Sequence, residues 1–228
     1  MGVNIMARKL VLLDYDLTIM DNMIDFYEAF IETMRKYGYG TISYDEFVQR
    51  VATDNLHTLI PSETDARDFW RYFRRIYPSK SGYPVKGIRR FLNILESLQV
   101  PIVIISGRET HPLLLWLELA RYGLDEYIDE IYTMFDLAIR GGIEEELFDK
   151  SWLIRHAISK YGVEPRCAVY IGDYKQDYIS CSKTGVRFVG ITRFKERAES
   201  LRMLGADIIV SDYDELLCYF DELFEHSC

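Results

Sequence analysis

The chain has 228 residues and a net charge of −9, with 49% hydrophobic and 28% charged residues. At about 150 residues per domain this is roughly one and a half domains, so a sizeable domain with a smaller insert is expected, long enough to bury a core unaided. The composition excludes general disorder, and the acidic balance argues against a dedicated nucleic-acid binder or a polybasic membrane anchor. It does not exclude a phosphorylated ligand, because a metal ion can carry the local positive charge.

In chain order, the first clear element is the apolar run 9–13, which ends in Asp14 and reads as a buried strand. The next stretch, from about Asp21 to about Tyr83, reads as helices without a convincing strand. Ile24, Tyr27, Phe30, Ile31 and Met34 make one apolar face that stops at Gly38. Ser43 and Glu46 suggest a capping box ahead of Phe47, Val48 and Val51. Ser62 is expected to open a third helix through Phe69, Trp70, Phe73 and Ile76, ended by Pro78. Helical spacing returns at Val85, Ile88, Phe91, Leu92, Leu95 and Leu98. Strand-like runs follow at 102–105, 168–171, 187–191 and 207–210, with a helix from Lys150 to Tyr161 between the first two. Strands alternating with helices imply an α/β fold, a Rossmann-like parallel sheet with helices on both faces. Residues 1–20 and 84–228 are the expected core, and 21–83 the inserted all-helical domain.

Cys167, Cys181, Cys218 and Cys228 show no C-x-x-C spacing, so neither a disulfide framework nor a zinc site is expected, and a reducing, cytoplasmic setting fits. The N-terminal stretch has no long apolar region, and no run approaches about 18 apolar residues, so neither secretion nor membrane spanning is expected.

The informative residues follow the apolar runs. In an open parallel sheet, ligands bind beyond the carboxyl ends of the strands. Asp14, Asp16, Ser106, Asp173 and Asp177 all stand just past such ends and could converge. In Asp14-Tyr15-Asp16-Leu17-Thr18, one carboxylate could attack an electrophile while the other manages a proton. A carboxylate is a weak nucleophile and needs a metal ion and a good electrophile such as phosphorus. D-x-D-x-T arises by chance in roughly a few per cent of chains this long, so it does not decide alone. Ser106 and the Gly107 amide could hold a phosphate oxygen, or simply cap a helix. Lys150 could balance charge at a phosphate, although a lone lysine is usually a surface residue. Asp173 could bind Mg²⁺ with Asp177 one helical turn on, or the pair could merely start a helix.

Taken together and in this order, these residues resemble the motifs of the haloacid dehalogenase superfamily of phosphohydrolases, across the whole chain. Asp14 and Asp16 match its first motif, Ser106 its second, Lys150 its third, and Asp173 with Asp177 its fourth. The block 21–83 resembles its helical cap, and Ile191 to Leu217 resembles the last units of the phosphoglycolate-phosphatase-like branch. Leu17 stands where glycine is usual, Ser151 where proline often follows the lysine, and Gly141 to Phe148 is longer and more acidic than usual.

The resemblance implies a Mg²⁺-dependent phosphatase for a small phosphorylated metabolite. Asp14 would be the nucleophile and a metal ligand. Asp16 would be the acid and base, its backbone carbonyl also on the metal. Asp173 would be a further ligand, with Asp177 supporting the site through water or from behind. Ser106, Gly107 and Lys150 would hold the phosphoryl oxygens. A 2-haloacid dehalogenase lacks the second carboxylate, and a receiver-type phospho-Asp switch needs neither Asp16 nor a helical insert, so both are weaker readings. Arg67, Arg71, Arg74 and Arg75 share one helical face. They could grip a second anion, but a solvated face offset by Glu63, Asp65 and Asp68 is the plainer expectation. Asn22 could line the cap entrance, and His57 and His111 are expected to be ordinary packing or surface residues. The protein could be a monomer, or a homodimer through an aromatic patch on the cap.

Overall fold

The computed structural model describes residues 9–61, 64–77 and 80–225. β1 (Leu10–Leu13) leads through a short β2 (Met20–Asp21) into α1 (Met23–Lys36), α2 (Tyr44–Ala52) and α3 (Ala66–Ile76), and the chain returns through β3 (Tyr83–Pro84). There follow α4 (Ile88–Ser97), β4 (Ile102–Ser106), α5 (Leu113–Ala120), β5 (Glu130–Thr133), α6 (Met134–Ile139), α7 (Ser151–Tyr161) and β6 (Ala168–Gly172). The chain ends with α8 (Lys175–Thr184), β7 (Arg187–Ile191), α9 (Lys195–Leu204), β8 (Ile208–Val210), α10 (Tyr213–Leu216) and α11 (Glu222–Glu225).

Six strands form one sheet in the order β5-β4-β1-β6-β7-β8, with every pairing parallel. This is the expected α/β architecture. Along β1, Val11 and Leu13 join the core on one face of the sheet, and Leu10 and Leu12 the core on the other. Burial on both faces is why the strand reads as continuously apolar. Strand order reverses direction around β1, so the carboxyl ends of β1, β4 and β6 open onto one crevice.

The helices α1 to α3 carry a separate aromatic core that includes Phe30, Phe47, Phe69, Trp70 and Phe73. Where the chain leaves and re-enters this block, β2 and β3 pair antiparallel, Met20 with Pro84 and Asp21 with Tyr83. The expectation of no strand across this stretch is thereby corrected at its two ends. Ser43 accepts the Glu46 N–H, but the Glu46 side chain pairs with Arg50, so only half of the expected capping box forms. Asp65 caps α3, accepting the N–H groups of Arg67 and Asp68, while Ser62 and Pro78 lie outside the described residues.

Cys167 is disulfide-bonded, against the expectation from cysteine spacing, which carries no information on which sulfurs meet in space. Cys181 and Cys218 are free. No helix among the described residues is long and apolar enough to cross a membrane.

Candidate active site

Asp14 follows β1 directly, and its backbone N–H donates to the Ile171 carbonyl, which fixes the end of β1 against β6. The next turn is tight. Leu17 has φ 61°, the left-handed region that favours glycine, and its N–H donates to the Met20 carbonyl at 2.7 Å. The turn sets Asp14 and Asp16 facing one cavity of about 380 Å³ between the sheet end and the helical block. Gly107, Lys150, Asp173 and Asp177 line the same cavity, so six of the seven site residues picked from the sequence meet there. Ser106 does not. It is fully buried at the end of β4, and its hydroxyl accepts the Arg108 N–H at 3.2 Å.

Lys150, just ahead of α7, is buried rather than a surface lysine. Its ammonium donates to Asp14 at 2.5 Å, Asp177 at 2.7 Å and the Tyr170 hydroxyl at 3.2 Å. Burial alone would lower its pKa, but Asp14 and Asp177 outweigh that and keep the charge. Asp14, Asp173 and Asp177 each present a carboxylate oxygen within 4.8 Å of the others, all buried. Burial pushes Asp14 well above the usual carboxylate range; Lys150 opposes this, and Asp177, Asp173 and Asp16 add to it. Burial likewise pushes Asp173 up to about 7 against the pull of Arg197. Three crowded oxygen donors with excess negative charge are what a hard divalent cation relieves. The Asp16 carboxylate stands outside this cluster.

Asp16 is held by two donors that the sequence did not assign. Arg108 reaches it at 2.6 and 3.0 Å, and the Asn22 side-chain amide at 2.5 Å. Asn22 is therefore a buried partner of Asp16, not part of the cavity entrance. Arg108 is itself buried, ion-paired to Glu118 at 2.7 Å, with the Tyr77 ring 4.3 Å away. Arg197 donates to Asp173, to the Val51 carbonyl at 2.7 Å and to Asp54 at 3.0 Å. Tyr170 carries a faint sequence signal, a polar atom inside an apolar strand. Arg108 and Arg197 carry none, being arginines in charged or turn-like stretches.

Of the α3 arginines, Arg67, Arg71 and Arg75 are exposed, as expected of a solvated face, and Arg74 is not. Arg74 is buried and bonds Glu109 at 2.9 Å and Glu144 at 2.6 Å. Arg71 and Arg75 also reach Glu109, and Arg67 reaches the carbonyls of Glu144 and Glu145. Asp65 is occupied as a cap and Asp68 accepts from Tyr37, while Glu63 lies outside the described residues. His57 is exposed at the cavity, and His111 accepts the Leu113 N–H. Three of the described non-glycine residues with positive φ, Leu17, Asp54 and Phe148, line this cavity, which places backbone strain at the site.

A family model described as haloacid dehalogenase-like hydrolase matches residues 11–191. A phosphoglycolate phosphatase of Neisseria gonorrhoeae is 26% identical over 195 residues, 80% of this chain and 79% of that protein. A solved structure described as a predicted phosphatase from Clostridium acetobutylicum superposes with a TM-score of 0.74 at 21% identity, over 95% of this chain and 100% of that one. A haloacid dehalogenase-like family hydrolase from Streptococcus pneumoniae gives 0.70 at 21% identity, over 93% and 98%. At such identities the structural likeness establishes the fold.

Proposed function

The chain belongs to the haloacid dehalogenase-like hydrolases, and within that family we propose that it is a divalent-cation-dependent phosphatase of small phosphomonoesters. The observation that carries the reading is the pairing of two carboxylates at the end of β1 in unlike surroundings. Asp14 sits among Lys150, Asp173 and Asp177, whereas Asp16 sits apart, gripped by Arg108 and Asn22. On this reading Asp14 meets phosphorus and Asp16 handles a proton. The named activity of the Neisseria relative supports the same chemistry.

An Asp14 oxygen attacks phosphorus in line, and the ester oxygen departs with a proton from Asp16. Water then attacks the aspartyl-phosphate while Asp16 takes back a proton. Phosphate leaves and Asp14 is regenerated. Lys150 neutralises Asp14 and can follow the phosphoryl oxygens as charge develops on them. The Gly107 amide faces the same space, and Ser106 would have to release the Arg108 N–H to join it. Mg²⁺, held by Asp14, Asp173 and Asp177, would supply positive charge to both nucleophile and phosphoryl group. Residues 21–83 act as a cap that excludes water from the cavity. Carbon–halogen cleavage needs no proton at the leaving atom, so a second carboxylate clamped at the site favours an ester.

Asp14→Asn tests the assignment. Mg²⁺-dependent phosphate release should vanish while the far-ultraviolet spectrum and melting cooperativity stay as in the parent. Full turnover in that variant would remove Asp14 as nucleophile.

A further inference from the structure

Behind Asp16 the cavity runs into the helical block, and its walls there are rings. Phe26, Trp70, Phe73, Tyr77 and Phe148 line it. They are fixed by one another. Trp70 meets Phe148 edge-on with centroids 5.5 Å apart, Phe26 lies 5.1 Å from Phe73, and Phe73 lies 5.5 Å from Tyr77. The left-handed backbone of Phe148, φ 67°, presents its ring between Trp70 and Tyr174. This wall is preformed and apolar, and the volume of about 380 Å³ exceeds what a phosphoryl group alone fills.

The arginines on this wall already hold carboxylates. Arg74 is committed to Glu109 and Glu144, Arg108 to Asp16 and Glu118, and Arg197 to Asp173 and Asp54, all buried guanidiniums, while the partly exposed Arg50 pairs with Glu46. A second anionic group on the substrate would be stripped of water beside buried guanidiniums that carboxylates already neutralise, so little attraction is left to offset that loss. Three buried polar atoms on lining residues lack a hydrogen-bond partner among the described residues, the Tyr77 hydroxyl and the Nε atoms of Arg74 and Arg197. The Tyr77 hydroxyl belongs to the ring stacked against Arg108 beside Asp16.

Resting on the phosphatase reading above, we propose that the leaving group is a ring-sized apolar alcohol. The substrates are then aryl-alkyl or cycloalkyl phosphomonoesters rather than phosphorylated hydroxy acids. Lys175 is the lining cation outside any ion pair among the described residues. It opens α8 next to Asp173 and Tyr174, its ammonium 5.9 Å from the centre of the Tyr174 ring.

The test uses primary-alkyl phosphates, so that leaving-group acidity varies little. Benzyl and cyclohexylmethyl phosphate are compared with ethyl phosphate, glycerol phosphate and phosphoglycolate, each with Mg²⁺. A single methylene in an apolar pocket is worth roughly 10–200-fold, so the two ring esters should lead phosphoglycolate by at least about 100-fold in kcat/KM. Trp70→Leu should shrink the ratio of benzyl to ethyl phosphate by about tenfold, chiefly through KM. Equal or better turnover of phosphoglycolate overturns the inference. So does a selective loss of phosphoglycolate turnover in Lys175→Ala. Binding of benzylphosphonate and phosphonoacetate, read as thermal shifts with Mg²⁺ present, separates the two possible failures. Tighter phosphonoacetate binding defeats the ring-sized leaving group alone. Absence of any phosphonate binding, with no ester turned over, defeats the phosphatase reading and this inference with it.

Discussion

Arg74→Met isolates the contact that ties α3 to the sheet side of the molecule. The methionine keeps the apolar stem and deletes the guanidinium. Arg74 is 2% exposed, and its partners Glu109 and Glu144 are 9% and 10% exposed, so the pair is shielded from water. Breaking a buried pair from one side typically costs roughly 3–5 kcal/mol, because the remaining charge loses its partner. Glu109 retains Arg71 and Arg75, whereas among the described residues the Glu144 carboxylate retains only the Phe148 N–H at 2.8 Å. The loss therefore falls mainly on Glu144 and sits at the low end, about 3 kcal/mol. At roughly 2–4 °C per kcal/mol for a chain of this size, the melting midpoint should drop by roughly 6–12 °C. Calorimetry reads the shift, and adding Glu144→Gln to Arg74→Met should recover at least about 1 kcal/mol by removing the stranded charge. A drop below about 2 °C, or no recovery in the double variant, would mean that the network is effectively solvated and the burial argument wrong. Because Trp70 and Phe73 ride on the same helix, KM should rise more than kcat falls.

The carboxylate cluster gives the metal-free protein a defined pH response. Asp173, pushed up to about 7 by burial, and Asp14, pushed up as well, take protons more readily folded than unfolded. Their contribution to stability is full below the ordinary carboxylate value of about 4 and is lost as pH rises to and through about 7. In chelator, the melting midpoint should fall across that interval, and Mg²⁺ should restore it most at the upper end; a metal-free midpoint that climbs with pH would contradict the crowding of like charges. Gly172→Ala probes the same cluster from the backbone. A Cβ there would meet Asp177 Oδ2 at 2.7 Å and Tyr170 Cε1 at 2.9 Å. The variant should lose about 1–3 kcal/mol of stability and most Mg²⁺-dependent turnover, and parent-like values for both would show that Asp177 has room to move.

What could be read from sequence follows burial on both faces. β1, β4 and β6 lie inside the sheet, must be apolar on either side, and so stand out as continuous runs ending in polar residues. β5 is an edge strand whose first residue, Glu130, ion-pairs with Lys160, and its run is too mixed to show. Asp14 and Asp173 were legible because strand ends fix where their Cα atoms stand, and Lys150 and Asp177 because each falls at a helix start. Their long-armed partners were not. Arg108 meets Asp16 across 92 residues of chain, and Arg74 meets Glu144 across 70. The spacing of the α3 arginines correctly gave them one face, but helical periodicity says nothing about what that face will touch. Leu17 is the instructive exception: its replacement of the usual glycine left the turn intact, and the left-handed backbone is there at a cost of about 1 kcal/mol.

The same three buried arginines set both the shape of the cavity and the charge inside it. A buried guanidinium is tolerated only where carboxylates surround it. Arg197 draws one carboxylate, Asp173, from the sheet end and another, Asp54, from the loop after α2. Arg74 draws Glu109 and Glu144 from the sheet side onto α3. Arg108 joins Asp16 to Glu118 of α5 and stacks on Tyr77 from the helical block. Moving the helical block away would uncover Arg74 and part the Asp54 carboxylate from Arg197, leaving Asp173 to hold that charge alone. Closure of the block and the electrostatic environment of the carboxylate cluster are therefore one set of contacts, and a change to either is felt at the other.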